Sequence, residues 1–533
     1  MSVRARRAGA AGIASALLGA GAGELAAALA APTSSPFAVV GGVLVDAAPA
    51  WAKDTAIAWF GTSDKTALLV GIGIVLLVVA ALAGIAEARW RRAGVVAFAA
   101  LGLIVGILSL TRSDAGLLAW LPSVLAGVIA AIALRSLLGL VRTPYPSAGR
   151  FPRMSVSERA DPPASLPVSE GRADAVDGPT RRRFLTWTVG TAAVGVALAI
   201  AGTLARAGST AVTAAREAIR LPKPATPAPA IPASASLDVA GISPLITPAA
   251  DFYRIDTALV VPTVDPASWR LRIHGLVAHE VTLTWDELLA LPLVESAATL
   301  SCVSNEVGGD LVGNAVWLGY PIRELLKRAV PQADADMVLS TSVDGFTAGT
   351  PLQALTDERA ALLAVGMNGA PLPLEHGFPV RMVVPGLYGY VSATKWVTEL
   401  EVTRFDRARA YWTDRGWSER GPIKLQSRID VPRPGRDVPA GDSVIAGVAW
   451  QPATGIAGVE VQVDDGDWQR AELATAISDD TWVQWRLPWP ARAGQHSIRC
   501  RAIGGDGTTQ TDAVAPPAPD GASGWHTISV RVS

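Results

Sequence analysis

The sequence predicts a multidomain chain with three parts: an N-terminal α-helical transmembrane region, a mixed α+β domain and a C-terminal immunoglobulin-like β-sandwich. Three observations carry that prediction. The first two hundred residues are rich in Ala, Gly, Leu and Val, with charges confined to short breaks. From about residue 241 to 405, strand-like and helix-like patterns interleave, and from about 425 short alternating segments are split by turns. A length of 533 residues agrees with about three domains, and half the residues are apolar, as membrane segments require.

Five spans are expected in the first region, over 9–31, 66–86, 93–111, 115–134 and 184–205, each near the length that crosses hydrocarbon. Glu24 interrupts the first of them. Basic residues set the orientation. Arg4, Arg6 and Arg7 precede the first span, and Arg89, Arg91 and Arg92 lie between the second and third. Between the fourth and fifth come Arg135, Arg142, Arg150, Arg153, Arg159, Arg172 and Arg181 to Arg183, whereas the alternate loops hold only Lys53, Lys65 and Arg112. The positive-inside rule then predicts a multi-pass protein of the plasma membrane, with a cytoplasmic N-terminus and everything after residue 206 outside. The stretch 33–65 reads as an external loop with an amphipathic piece around Trp51 to Trp59. Thr180-Arg181-Arg182-Arg183-Phe184-Leu185 resembles an internal twin-arginine export signal, which is read on proteins already folded around their cofactor. All five histidines lie beyond this region, so no haem with histidine ligands is expected in it.

Residues 143–180, rich in Pro, Ser, Asp and Arg, read as a flexible cytoplasmic loop. Residues 221–240 read as an external stalk of polyproline character. The expected domains are therefore a membrane region at 1–220, a linker at 221–240, a mixed domain at 241–415 and a sandwich at 416–533. In the mixed domain, Trp269 to Gly275 alternates as a strand, Thr284 is the N-cap of a short helix and Pro321 opens another. Val380 to Val384 is a buried strand running into Pro385-Gly386-Leu387-Tyr388-Gly389-Tyr390, a loop whose backbone N–H groups can approach an anion closely. Beyond 425, the segments Ser443–Trp450, Gly458–Val463, Thr481–Trp485, His496–Arg501 and Thr527–Val532 have the length and spacing of sandwich strands. Cys500 lies within one of them and reads as structural, and Trp450, Trp468, Trp482, Trp485 and Trp489 read as packing a core or a dimer face.

Several function classes are excluded. Net charge is −1 and no basic stretch is interleaved with aromatics, which argues against nucleic acid as a partner. Two cysteines make no disulfide framework, no four-thiolate zinc site and no iron–sulfur cluster held by four cysteines. Cys302 stands out for its setting: the β-type run Thr299 to Val303 delivers a thiol to a polar, Gly-rich turn, Asn305 to Gly309. A soft thiolate presented in this way suits a metal already held by sulfur ligands, such as molybdenum.

Residues 241–533 resemble the sulfite oxidase family of molybdopterin enzymes, including its C-terminal dimerisation domain. The likeness rests on Phe252-Tyr253-Arg254-Ile255-Asp256-Thr257, Trp269 to Gly275, Leu300-Ser301-Cys302-Val303-Ser304-Asn305, Met367 to Pro373, His376 to Gly386, Lys395-Trp396, Ser427 to Arg433 and Gly447 to Trp450. It implies an α+β sulfite-oxidase-type molybdopterin domain with Cys302 as the metal ligand and, together with Arg254, the catalytic pair. Tyr253, Arg254, Asp256, Asn305, His376, Arg381, Gly386 and Lys395 would line the cofactor pocket, with His376, Arg381 and Lys395 on the pterin and its phosphate. Tyr388, Tyr390 and Trp317 are candidates for the pocket wall or for ordinary core aromatics. The resemblance further implies homodimerisation and a small oxyanion or sulfoxide substrate, while the lack of histidine in the membrane region calls for a separate electron-transfer protein or soluble carrier. One departure concerns the substrate. Sulfite oxidases usually carry an arginine shortly after the cysteine, whereas here Asn305-Glu306-Val307-Gly308 occupies that stretch. A pocket with less positive charge suits the related exported protein-methionine-sulfoxide reductases, although Arg254 and Arg428 keep sulfite open. A domain of this kind that had lost catalysis would survive as a membrane-tethered binding module.

Overall fold

The computed structural model describes residues 3–48, 55, 59, 64–112, 115–142, 178–207 and 210–533. The chain divides into two compact units, Met1–Ala47 with Ala56–Gly208, and Ala48–Thr55 with Ser209–Ser533. The expected cytoplasmic loop lies almost wholly outside the described residues, as does most of the Trp51 to Trp59 piece.

The first unit is a bundle of apolar helices: α1 (Val3–Ala30), α2 (Pro36–Ala47), α3 (Asp64–Arg89), α4 (Ala93–Ser109), α5 (Leu121–Arg142) and α6 (Gly178–Ala207). Helix α1 packs against α3, α5 and α6. Small residues let these backbones approach: a Cβ at Gly12 would overlap the Ala80 carbonyl of α3, and one at Gly21 the Gly195 carbonyl of α6. Among the described residues, four helices are long and apolar enough to cross a membrane: Val3–Ala30, Lys65–Arg89, Leu121–Leu140 and Arg182–Ala205. The count differs from the five expected. Helix α4 is 17 residues long, because Arg92 adopts φ +75 immediately before it and its C-cap is Leu110. The Glu87 carboxylate accepts the N–H groups of Arg92, Gly94 and Val95 at 3.1–3.3 Å, which fixes where α4 begins. The fourth expected span also shifts: its helix begins at Leu121, with Pro122 in the first turn, rather than at 115. Helix α2 was not anticipated, its apolar run being too short to read as a span. On α3, Val70, Ile74, Val75, Val78 and Leu82 are exposed in the unit, leaving a broad apolar face.

In the second unit, one five-stranded sheet has the order β2-β1-β10-β5-β6, formed by β1 (Arg270–Gly275), β2 (Val281–Thr284), β5 (Met337–Ser342), β6 (Thr347–Pro351) and β10 (Val397–Thr403). Strands β1 and β10 pair in parallel, Arg272 opposite Glu399. A second sheet has the order β3-β4-β7-β8, from β3 (Val294–Ser301), β4 (Val312–Pro321), β7 (Leu362–Met367) and β8 (Ala370–Pro371), with β9 (Arg381–Val383) on β7. Thr284 caps the helix Trp285–Leu289 as expected, in a capping box with Glu287.

The C-terminal part is β-rich. One sheet is β11 (Gln426–Val431), β13 (Gly441–Trp450), β17 (Val483–Ala491) and β16 (Glu472–Leu473). The other is β12 (Asp437–Val438), β19 (His526–Val532), β18 (Gly494–Gly504), β14 (Ile456–Val463) and β15 (Gln469–Arg470). Ile445, Ala449, Trp485 and Leu487 of the first sheet and Val459, Val461, Ile498, Cys500, Ile528 and Val530 of the second share one buried core. The Pro-rich segment 221–240, with one 3-10 turn at Ala233–Ala235, is bound to the second unit. Its Ala225 N–H donates to Leu293 O, its Thr226 O accepts from Glu295, and Leu237 N–H reaches Gln484 Oε1.

Candidate active site

Strand β3 ends one residue before Cys302, and the backbone N–H of Cys302 donates to Leu311 O at 2.9 Å, closing the turn that joins β3 to β4. Asn305 holds this turn: its N–H donates to Cys302 O at 3.1 Å and its side-chain oxygen accepts from Leu311 N–H at 2.8 Å. The C-terminal sheets brace it from outside. Arg428 donates to Gly309 O at 2.8 Å while paired with Asp430 at 2.7 Å, and a Cβ at Gly308, where φ is +79, would overlap the His526 ring. Arg428 is thus committed to scaffolding. Burial pushes the Cys302 thiol pKa up, while hydrogen bonds from Ser304 and the charge of Lys395 pull it back.

Around the thiol the structure collects most of the expected residues. His376 is buried, with Nε2 3.0 Å from Ala249 O, and its Nδ1 is buried without a hydrogen-bond partner among the described residues. Burial, then the charges of Arg381 and Lys395, hold His376 down to about 4. Nε2 therefore carries the proton that goes to Ala249, and Nδ1 offers a lone pair to whatever enters the site. Arg381 is 4 % exposed and makes no ion pair among the described residues. Its Nη1 and Nε donate to His376 O (3.2 Å) and Met382 O (3.3 Å), and its guanidinium lies 5.1 Å from the Trp317 ring centroid. Burial lowers its pKa to about 10.

Lys395 Nζ pairs with Asp256 Oδ2 at 2.9 Å and donates to Glu375 O at 3.0 Å; burial lowers its pKa to about 8. The following residue, Trp396, takes φ +50, a strained conformation for a bulky side chain, and donates through Nε1 to Leu374 O at 3.0 Å. Arg254, the most open member, shares Asp256 at 2.9 Å. Tyr253 stacks on Phe252, and burial, reinforced by the Cys302 charge, keeps its phenol protonated. Tyr388 also senses Cys302; burial pushes it up to about 12.

Some expectations resolve differently. Trp317 is fully buried beneath Arg381. Tyr390 is tied to Ser418 O at 2.8 Å. Gly386, at φ +84, packs against Ala453 and Arg359. The glycine wedged into the cluster is Gly377, which the sequence argument passed over: at φ +106, its Cβ would lie 3.0 Å from Arg381 Cβ and 3.1 Å from Lys395 Cβ. Its place between His376 and Phe378, just before a buried strand, was the available signal.

This arrangement fits a molybdopterin. It offers one thiol for the metal, a buried guanidinium lacking a carboxylate, a second buried cation and an unpartnered imidazole nitrogen, together suited to a phosphate and a heterocycle rich in donors and acceptors. Comparison with known proteins agrees. A family model described as "oxidoreductase molybdopterin binding domain" matches residues 258–412. The mitochondrial sulfite oxidase of Homo sapiens is 30% identical over 327 residues, covering 52% of this chain and 60% of that protein. The chain thus spans about 60% of that relative's length. An oxidoreductase of Bacillus subtilis, YuiH, is 34% identical over 157 residues, covering 30% of this chain and 76% of that one. The crystal structure of the sulfane dehydrogenase SoxCD from Paracoccus pantotrophus covers 55% of this chain and 84% of its own at 22% identity and TM-score 0.48, too loose a superposition to bear on the assignment. The chain belongs to the sulfite oxidase family of molybdopterin-binding oxidoreductases.

Proposed function

We propose that this chain is a membrane-anchored molybdenum-cofactor oxidoreductase that transfers one oxygen atom to or from a small substrate, with two electrons passing the opposite way. The observation that carries the reading is Arg381, a buried cation with no carboxylate partner among the described residues, beside a His376 Nδ1 that is unpartnered among them and within the electrostatic reach of Tyr253, which in turn senses Cys302. A buried charge of that kind calls for a counter-anion, and a pterin phosphate supplies one. In this reading Cys302 Sγ ligates the metal, Arg381, Lys395 and His376 hold the pterin and phosphate, and Asp256 fixes Lys395 and Arg254 at the mouth. Asn305 and Gly386 act at one remove, through the turn and the packing around the site. Bound molybdenum supplies the oxygen-atom exchange. The protein's part is to present Cys302 to the metal, with Ser304 and Lys395 offsetting part of the penalty that burial places on its thiolate, and to keep the Tyr253 phenol protonated.

The four long apolar helices, the exposed apolar face of α3 and the arginine distribution support a multi-pass plasma-membrane anchor with a cytoplasmic N-terminus and an external catalytic unit. The side depends on α4 crossing too, and its 17 residues lie at the lower limit for a span. In the same reading the β-rich part is an immunoglobulin-like dimerisation module. Electrons leave to, or arrive from, a separate protein or soluble carrier, because the five histidines all lie at or beyond residue 274 and leave the helices no ordinary haem ligand.

The first reading of the substrate is a small oxyanion such as sulfite. The second, a neutral sulfoxide reduced rather than an anion oxidised, is favoured by Glu306, which stands exposed in the turn after Cys302 where sulfite oxidases carry an arginine. The test is electron paramagnetic resonance of the purified, molybdenum-loaded full chain, with a limiting one-electron acceptor, before and after sulfite. A pentavalent molybdenum signal that grows supports oxidation of sulfite. No change, in a sample that dithionite does reduce, supports the sulfoxide reading, and a purified protein that never holds molybdenum defeats both.

A further inference from the structure

The last apolar helix is followed by a nine-residue helix, α7 (Thr210–Ala218), whose Val212, with Ile219 just beyond it, packs on the buried cluster of Phe252, Trp317 and Phe378. Its Arg216 donates through Nε to Leu372 O at 2.7 Å and through Nη2 to Pro371 O at 2.9 Å. Those carbonyls begin the ribbon that delivers His376. Further along the same ribbon, Leu374 O accepts from Trp396, Glu375 O from Lys395 and His376 O from Arg381. One short stretch of backbone therefore seats three cations, and Arg216 is the one that no motif of the site contains. Beside the ribbon lies a pocket of about 360 Å³ lined by Thr213, Arg216, Ala249, Ala250 and Pro373 to Glu375.

We infer that Arg216 is a positioning residue of the cofactor cradle. By holding the carbonyls of Pro371 and Leu372 it sets where His376, Lys395 and Arg381 meet the pterin and its phosphate. Cofactor retention then depends on the docking of α7, the helix that leads from the last apolar segment into the catalytic unit. A guanidinium fork meets two adjacent carbonyls from two nitrogens in a fixed planar geometry that a single ammonium nitrogen does not reproduce.

The inference rests on the molybdopterin reading and is tested separately from it. Full-length wild type, R216A and R216K are purified in detergent with cofactor bound, and the release of pterin is followed by the fluorescence of its oxidised form, alongside thermal unfolding of each protein in its cofactor-free state. R216A is expected to release pterin about tenfold faster, the equivalent of one charge-assisted hydrogen bond, with R216K between it and wild type. The cofactor-free unfolding temperatures should stay together. Equal release rates overturn the inference. So does a fall in cofactor-free stability large enough to account for the faster release, which would make Arg216 a general structural residue. A wild type that carries no pterin overturns the cofactor reading itself and takes this inference with it.

Discussion

Replacing Arg381 by methionine separates a residue kept for a ligand from one kept for the fold. Its pKa falls from 12.5 to about 10 on burial, which corresponds to about 3 kcal/mol of desolvation carried by the protein before any anion binds. Against this stand the contact with Trp317, at about 1–2 kcal/mol when desolvated, and two rather long hydrogen bonds to carbonyls, at about 1 kcal/mol each. The terms nearly cancel, and methionine fills much of the same volume with a flexible apolar chain. Cofactor-free R381M should therefore unfold in urea within about 1 kcal/mol of wild type, while its molybdenum content, read by elemental analysis, falls to background. If Arg381 were half of a structural ion pair, its removal would cost about 3–5 kcal/mol. A loss of that size in the cofactor-free protein, or full molybdenum occupancy in the variant, refutes the argument.

Other consequences follow from the same geometry. C302S should keep pterin, because the phosphate contacts remain, yet lose turnover; pterin released on denaturation and activity are measured on one sample. G377A should lower cofactor occupancy and cost about 1–3 kcal/mol, since φ +106 and a Cβ 3.0 Å from that of Arg381 both oppose the change; urea midpoints and pterin content check it. His376, held to about 4 by burial and by Arg381 and Lys395, binds its proton more readily when unfolded, where its pKa is near 6.5. The stability it contributes is present above pH 6.5 and drains away as pH falls toward 4, by about 3 kcal/mol in the cofactor-free protein. His526, likewise held to about 4 by burial, adds to the same window, so H376Q should remove part of the acid loss seen in urea midpoints and leave the rest.

What was legible in the sequence was local chemistry. The strand delivering Cys302, the Thr284 cap and the alternating C-terminal strands are patterns written over fewer than a dozen residues, and they reappear as β3, the capped helix and β13, β14, β18 and β19. The order of motifs also located His376, Arg381 and Lys395. What could not be read is contact between distant segments. The parallel pairing of β1 with β10 joins Arg272 to Glu399, and nothing near either residue announces it. Trp317 read equally well as pocket wall or core because only the pairing of β4 with β7, and of β7 with β9, brings it under Arg381. Gly377 and Arg216 were missed for the same reason: their meaning lies in carbonyls and Cβ positions set by tertiary structure.

The charge pattern of the site bears on the substrate. Arg254, Lys395 and Arg381 are three cations, and Asp256 is the carboxylate that pairs with two of them. Arg381 and Lys395 are nearly sealed from solvent, so their excess charge acts inward, where the dielectric is low and a phosphate would sit. A pterin phosphate at the proposed position would consume that excess. What is left to attract a substrate is Arg254, partly exposed and already shared with Asp256, opposed by the exposed Glu306 on the turn after Cys302. Arg428, the other arginine the sequence offered, is spent on Asp430, Ser243 and Gly309. A dianion arriving at the metal thus meets little uncommitted positive charge, whereas a neutral sulfoxide requires none. Sulfite turnover, if it occurs, should therefore depend steeply on Arg254 and weaken with ionic strength, while sulfoxide reduction should be indifferent to both.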